Sequence, residues 1–341
     1  MAAATMYVTA AGAGVKDGTT WAKAMGSTEF ITDLTGSAEP GDIYYIAEGS
    51  YSLGGTCTVY QAGTSVLPIT LIGVKSGTSN APPVYTDYAD TNLSVSATDE
   101  RPVVTCSTNI VTLSNYCKVY NLIFNGSGTS TVVTGTTNIL YNVKSTNSGA
   151  ATRYAFNAGA NSHFIKCEGI STNGSAFYSV YGGIGIYFCY FSYSSTGIAL
   201  ASVANYVTIA FTSLAYNDTG ISLAAMLGTR IINCAFRGAT TGITGTTAYG
   251  AVCINSAFET VSVAFKWTTQ ENINFLFSNH QGDSVTTMYD SATNKVADTM
   301  PHTDPEITTG ATGWSTTGNF SLPYGSPCAD TGMSASLLVG L

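Results

Sequence analysis

Charge is what this chain has least of. Asp, Glu, Lys and Arg make up 9% of its 341 residues, against roughly 25% in an average soluble domain. Its 12 Lys and Arg are scattered and the net charge is -8. No basic patch faces a phosphate backbone, which argues against a nucleic-acid partner. Scarce charge in a long chain points to a membrane protein or a disordered tract, and two more absences remove both. No run approaches the roughly 18 apolar residues that a membrane helix needs, so no membrane span is expected. Nor is the chain short of apolar residues in the way disorder requires: 45% are hydrophobic, with 21 Tyr and 14 Phe. Basic residues are also missing before the strand-like Met6-Tyr7-Val8-Thr9. No secretory leader is therefore read here. Export after removal of a leader, or assembly into a virus particle, is the expectation.

Helical periodicity is absent from the middle of the chain, and a repeat stands in its place. Phe164-Ile165-Lys166-Cys167, Ile186-Tyr187-Phe188-Cys189, Ile231-Ile232-Asn233-Cys234 and Cys253-Ile254-Asn255-Ser256 share a pattern. One column reads Leu122, Val143, Cys167, Cys189, Phe211, Cys234, Ser256 and Ser278. A second reads Phe177, Ile198, Ile221, Ile243 and Phe265, and three of its members close the tripeptides Thr196-Gly197-Ile198, Thr219-Gly220-Ile221 and Thr241-Gly242-Ile243. A period near 22, filled by short alternating runs and punctuated by Gly, Asn, Ser and Thr, describes one coil of short strands per repeat. Coils stacked at about 4.8 Å bring like side chains into register as ladders. Cys167, Cys189 and Cys234 then read as buried reduced thiols of one ladder, and none of the eight cysteines has zinc-ligand spacing.

The Ile-x-Asn-Cys-x-Phe repeat followed by Thr-Gly-Ile resembles the right-handed parallel β-helix of the pectate-lyase-like superfamily. The start, with Gly18-Thr19-Thr20-Trp21 and Pro40-Gly41-Asp42-Ile43-Tyr44-Tyr45, looks like that superfamily's entry region. The end, with Asp304-Pro305-Glu306 and Ser326-Pro327-Cys328, looks like its closing segment. The resemblance implies an all-β, single-stranded right-handed parallel β-helix with a short N-terminal capping helix. Residues 1–50 would be entry strand and cap, 51–300 the coils and 301–341 the closing segment. Trp21, Met25, Phe30 and Leu34 are expected on the apolar side of the cap, and the apolar tail Leu337 to Leu341 on the last coil or a neighbouring subunit.

The catalytic signatures of that superfamily are missing. No Asn-Thr-Asp strand, Asp-Asp pair or Gly-His-Gly segment supplies the two carboxylates of a glycosidase. Arg101-Pro102 is too short a match to the lyases' Arg-x-Pro-x-x-Arg. Asp99-Glu100, near Asp87 and Asp90, reads as a solvated acidic loop. His163, His280 and His302 stand outside any motif, and Arg153, Lys166, Arg230, Arg237 and Lys266 read as solvated outward positions, with Glu168 or Glu259 near Lys166 and Arg230. No catalytic, cofactor or metal residue is assigned. The tyrosines Tyr178, Tyr181, Tyr187, Tyr190, Tyr193, Tyr206 and Tyr216 read first as ladders stacking on one another, and otherwise as contacts for sugars or protein partners. A non-catalytic structural or adhesive role is expected, at a virion surface or otherwise extracellular. Its partners would be other virion proteins or surface glycans, and resemblance to viral β-helices implies a homotrimer. A tailspike-type lyase or glycoside hydrolase and a secreted bacterial adhesin are the alternatives.

Overall fold

Short runs rich in Val, Ile, Tyr and Thr and broken by Gly, Asn or Ser favour strands, because β-branched and aromatic side chains pack well on a pleated surface. The computed structural model describes residues 3–54, 57–89, 99–106, 111–150, 153–201, 205–224, 226–246, 248–249, 251–254, 256–267, 273–276, 279–280 and 287–291. It is a parallel β-solenoid of about 22 residues per coil, with one α-helix. The closing segment expected over 301–341, with Cys328, His302 and the apolar tail, lies outside the described residues. The chain forms two compact units, Met1–Tyr178 and Ser179–Leu341.

Each coil contributes one strand to each of three sheets, named I, II and III in chain order. In the first unit, Cys117–Tyr120, Ile139–Tyr141 and His163–Ile165 pair in sheet I, while Ile123–Gly126, Lys144–Asn147 and Glu168–Ser171 pair in sheet II. Ser130–Thr134 and Tyr154–Ala158 pair in sheet III. The register makes Leu71, Val119, Leu140 and Phe164 one buried ladder. Phe164 meets Phe156 and Phe177 edge-on, at 5.5 and 4.9 Å.

The second unit repeats this. Ile186, Ile209, Ile231 and Cys253 align in sheet I. Phe191, Leu214, Phe236 and Phe258 align in sheet II, and Ile198, Ile221, Ile243 and Phe265 in sheet III. All are buried, and each such side chain contributes roughly 1.5–3 kcal/mol by leaving water. Phe236 and Phe258 stack at 4.6 Å.

The N-terminal end is closed as a solenoid must be, since open strand edges invite further pairing. Helix α1, Ser27–Gly36, packs on Ser50–Leu53 and Cys57–Thr58, the terminal strands of sheets II and III. Phe30 and Leu34 form its buried face. Glu29 Oε2 accepts the N–H of Gly26 at 3.1 Å, satisfying one orphan donor of the first turn. The helix is shorter than the expected cap. Trp21–Lys23 is a 3-10 turn, with Trp21 edge-on to Tyr7 at 4.9 Å, and Met25 bridges to Val8. Asp42 of the Pro-Gly-Asp turn is buried and accepts the N–H groups of Ala4 and Glu39 at 2.7 and 2.8 Å.

The cysteine column needs one correction. Thr212, and not Phe211, occupies it in the second unit, because strands Thr208–Ala210 and Arg230–Ile232 pair in a register that sets Thr212 beside Cys234. Phe211 is instead the corner residue before the column, with φ of 53°. The column has a polar logic that packing alone does not supply. Cys189 Sγ, Thr212 Oγ1, Cys234 Sγ and Ser256 Oγ each donate to the carbonyl two residues back, at 3.3, 3.1, 3.4 and 3.2 Å. Thr212 Oγ1 and Ser256 Oγ also accept the N–H of Cys189 and Cys234. In the second unit this bonding explains the interchange of Cys, Ser and Thr, whereas Leu122 and Val143 fill the same column in the first unit with apolar side chains. In the first unit, Cys167 Sγ makes the same bond to Ile165 at 3.5 Å. The seven described cysteines are buried thiols outside any disulfide; burial pushes the Cys234 thiol up to about 12.

Cys234→Ser is therefore expected to change stability by no more than about 1 kcal/mol, and Cys234→Asp to cost about 3 kcal/mol or more by burying an unpaired charge. Chemical denaturation of the two variants checks this; equal midpoints would contradict the placement of the column.

Candidate functional site

A coil turns a corner three times, and each corner needs a backbone that strands do not supply. At most of these corners one residue takes the left-handed region. Between sheets I and II these are Asn121, Asn142 and Lys166 in the first unit, and Phe188, Phe211 and Asn233 in the second. Between sheets III and I they are Tyr116, Thr137 and Asn161, then Gly183, Tyr206 and Gly228. In the second unit the corner between sheets II and III uses Tyr193, Tyr216, Gly238 and Thr260. Asn and Gly tolerate this conformation, whereas a bulky side chain costs roughly 1–2 kcal/mol there. Aromatic residues at such corners are the least expected feature of the chain.

In the first unit, one charged cluster sits by sheet II. Arg101 is 1% exposed, and each of its five N–H donors is matched. Nε donates to Asp99 Oδ1 at 2.9 Å and Nη2 to Asp99 Oδ2 at 2.8 Å and Glu168 Oε1 at 2.9 Å. Nη1 donates to the Asn142 carbonyl at 3.2 Å and its Oδ1 at 3.4 Å. Lys144 Nζ lies 3.5 Å from Glu168 Oε2, so two cations meet two carboxylates. Glu100 pairs with Lys75 at 3.8 Å. Asp99 is thus not the solvated loop acid expected from sequence. Burial penalises its carboxylate, but the hydrogen bonds and charge of Arg101 outweigh this and hold its pKa below the usual range. Asp99 Oδ2 and Glu168 Oε1 share one guanidinium nitrogen, Arg101 Nη2. Both carboxylates are engaged by a buried guanidinium.

The other candidate residues do not assemble. His163 is exposed, and Asp87 is tied to Asn80 and the N–H of Val84 at 2.7 and 2.9 Å. Lys166 lies over the Tyr141 ring at 5.4 Å and Arg237 over Tyr216 at 5.8 Å. Arg230 is exposed, and Arg153 is half-buried. Asp90 and the side chains of Glu259 and His280 lie outside the described residues. Among the described residues no three His, Cys, Asp or Glu side chains group as metal ligands, and no helix is long and apolar enough to cross a membrane.

The tyrosines expected as ladders are split. Tyr178 stacks on Tyr154 at 4.1 Å, and Tyr193 on Tyr216 at 5.2 Å. Phe188 and Phe211 form a further stacked pair at 4.9 Å, which sequence reading missed because it placed Phe211 inside. Tyr181 and Tyr206 are exposed, and neither stacks on another ring among the described residues.

No protein-family model and no curated protein matches the chain. Among solved structures it is similar to pectate lyase Pel9A, at 13% identity over 96% of this chain and 88% of that one, with a TM-score of 0.53. It is also similar to a rhamnogalacturonan lyase, at 13% identity over 79% and 75% with a TM-score of 0.48. An alginate lyase from a Paenibacillus species matches at 9% identity over 85% and 99%, with a TM-score of 0.42. The first of these likenesses establishes a pectate-lyase-like β-helix fold and assigns no reaction.

Arg101→Met is expected to cost about 3 kcal/mol, because it strands two carboxylates beside a buried apolar side chain. The depressed pKa of Asp99 also gives a sign. Its contribution is complete above the unfolded value of about 3.9 and is lost as pH falls through the lower folded value. The stability gap between parent and variant, measured by denaturant unfolding at pH 7 and pH 3, should narrow at pH 3. A constant gap would contradict the pairing.

Proposed function

We propose that this chain is a non-catalytic, adhesive β-helix protein, displayed extracellularly or on a virion surface as a homotrimer, with surface glycans and other virion proteins as partners. One observation carries the reading. The chain carries exposed aromatic rings at left-handed corners of its second unit, while in the first Asp99 and Glu168 are both tied to a buried arginine. A lyase needs a base with a lowered pKa close to its substrate. Arg101 has no free donor and two carboxylate partners, and its pKa is raised: burial opposes the charge, but the carboxylates more than compensate. The competing reading, a polysaccharide lyase or glycoside hydrolase, draws on the fold alone.

Purified protein incubated with polygalacturonate, alginate and neutral glucans should release neither unsaturated products nor new reducing ends above the buffer control. It should also sediment at three times the chain mass at micromolar concentration. Turnover of any of these polymers would replace the adhesive reading with the depolymerase one, and a monomer would remove the trimeric form of it.

A further inference from the structure

The first unit holds the same tripeptide twice, as Asn125-Gly126-Ser127 and Asn173-Gly174-Ser175. Identical local sequence gives the two asparagines the same intrinsic chemistry, so the fold is what sets them apart. Asn125 is half-buried within strand Ile123–Gly126. It pairs with Thr105 on one side and Thr146 on the other, and Gly126 pairs with Cys106 and Asn147. Asn173 is exposed, in the turn between strands Glu168–Ser171 and Ser175–Ser179. The Gly174 N–H reaches the Ser171 carbonyl at 3.5 Å, which is long for a hydrogen bond. Asn173 Nδ2 donates to the Gly149 carbonyl at 2.9 Å, a tie to the preceding coil. Packing also dictates the glycine. A Cβ on Gly174 would run into the backbone nitrogen and carbonyl oxygen of Arg153, so only glycine allows this approach. Its nitrogen is therefore the least shielded kind of backbone amide, next to an exposed amide side chain.

We infer that Asn173 is a self-modification site exposed by the fold, and that Asn125 is its protected twin. The Gly174 backbone nitrogen attacks Asn173 Cγ and forms a new C–N bond. The bond from Cγ to Nδ2 breaks, the proton of the attacking nitrogen passes through water to Nδ2, and ammonia leaves. Water then opens the cyclic imide at either carbonyl, giving aspartate or isoaspartate. The balance is one water in and one ammonia out, with no oxidant or reductant. At Asn125 the same closure requires the Asn-Gly peptide to rotate out of the extended strand, which breaks its pairing on both sides. Conversion at Asn173 replaces an amide donor with an acceptor-only carboxylate. The tie to the Gly149 carbonyl is lost and the chain gains one negative charge. Arg153 also lies against Gly149, its Cγ 2.9 Å from where a Cβ there would sit, and its buried Nε makes no hydrogen bond. The new carboxylate thus arises at a corner that already holds a cation.

Folded protein kept for weeks in mildly alkaline heavy-oxygen water, then mapped by peptide mass and fragmentation, tests this. Residue 173 should lose ammonia and gain one heavy oxygen at least about tenfold faster than residue 125, since opening a paired strand costs free energy. In denaturant the two should convert at similar rates. Asn173→Gln, whose longer side chain closes its ring far more slowly, should remove the acidic form from ion-exchange profiles. Equal rates in the folded protein, or a faster Asn125, overturn the assignment, as does an acidic form that persists undiminished in Asn173→Gln. A gap that survives in denaturant overturns the part given to the fold.

Discussion

The left-handed corner is the constraint on which the rest of this structure depends. A parallel coil closes only if the chain bends sharply between strands of three to five residues, and one residue with positive φ does this at each marked corner. The bend fixes which side chains follow it. The next residue turns inward, where its thiol or hydroxyl caps the carbonyl two residues back, as in Cys189, Thr212, Cys234 and Ser256. In the second unit the corner residues Phe188 and Phe211 are thrown outward, while Asn121 and Asn142 at the matching corners of the first stay buried. In the second unit core ladder and surface display are thus set by the same backbone event, one residue apart.

That coupling explains why the fold was legible in the sequence and the site much less so. The ladders of Ile and Phe repeat at a constant step and are read directly, as with Ile198, Ile221 and Ile243. The Cys/Ser/Thr column was visible as a column, but its occupant between Cys189 and Cys234 was misread, because a large apolar residue looks like core. Phe211 is apolar and yet belongs outside, stacked on Phe188. The signal available was local: the residue just before each Cys, Thr or Ser of the column sits at the corner. The Arg101 cluster was beyond sequence reasoning for a different reason. Arg101 and Glu168 are 67 positions apart, and nothing in a run of residues says that a lone arginine will be buried against both Asp99 and Glu168.

Charge is used in this molecule as a fastener. In the first unit two cations and two carboxylates satisfy one another beside sheet II, holding the segment around Arg101 onto Asn142 and Glu168. The second unit goes without charge over most of its first two coils. Its stability there rests on apolar rungs and hydroxyl or thiol caps, and its surface character on aromatic rings.

Coil register is the claim beneath all of this, and a designed cross-link reads it most directly. Ser213 and Ala235 are partners in sheet II, and neighbouring strands at about 4.8 Å fall within the Cα range of a disulfide. Mild oxidation of Ser213→Cys/Ala235→Cys should close an intramolecular disulfide seen by peptide mass mapping, while Ser213→Cys/Arg237→Cys, two residues out of register, should stay reduced. A cross-link in the second pair and none in the first would show that the coils are not stacked as described.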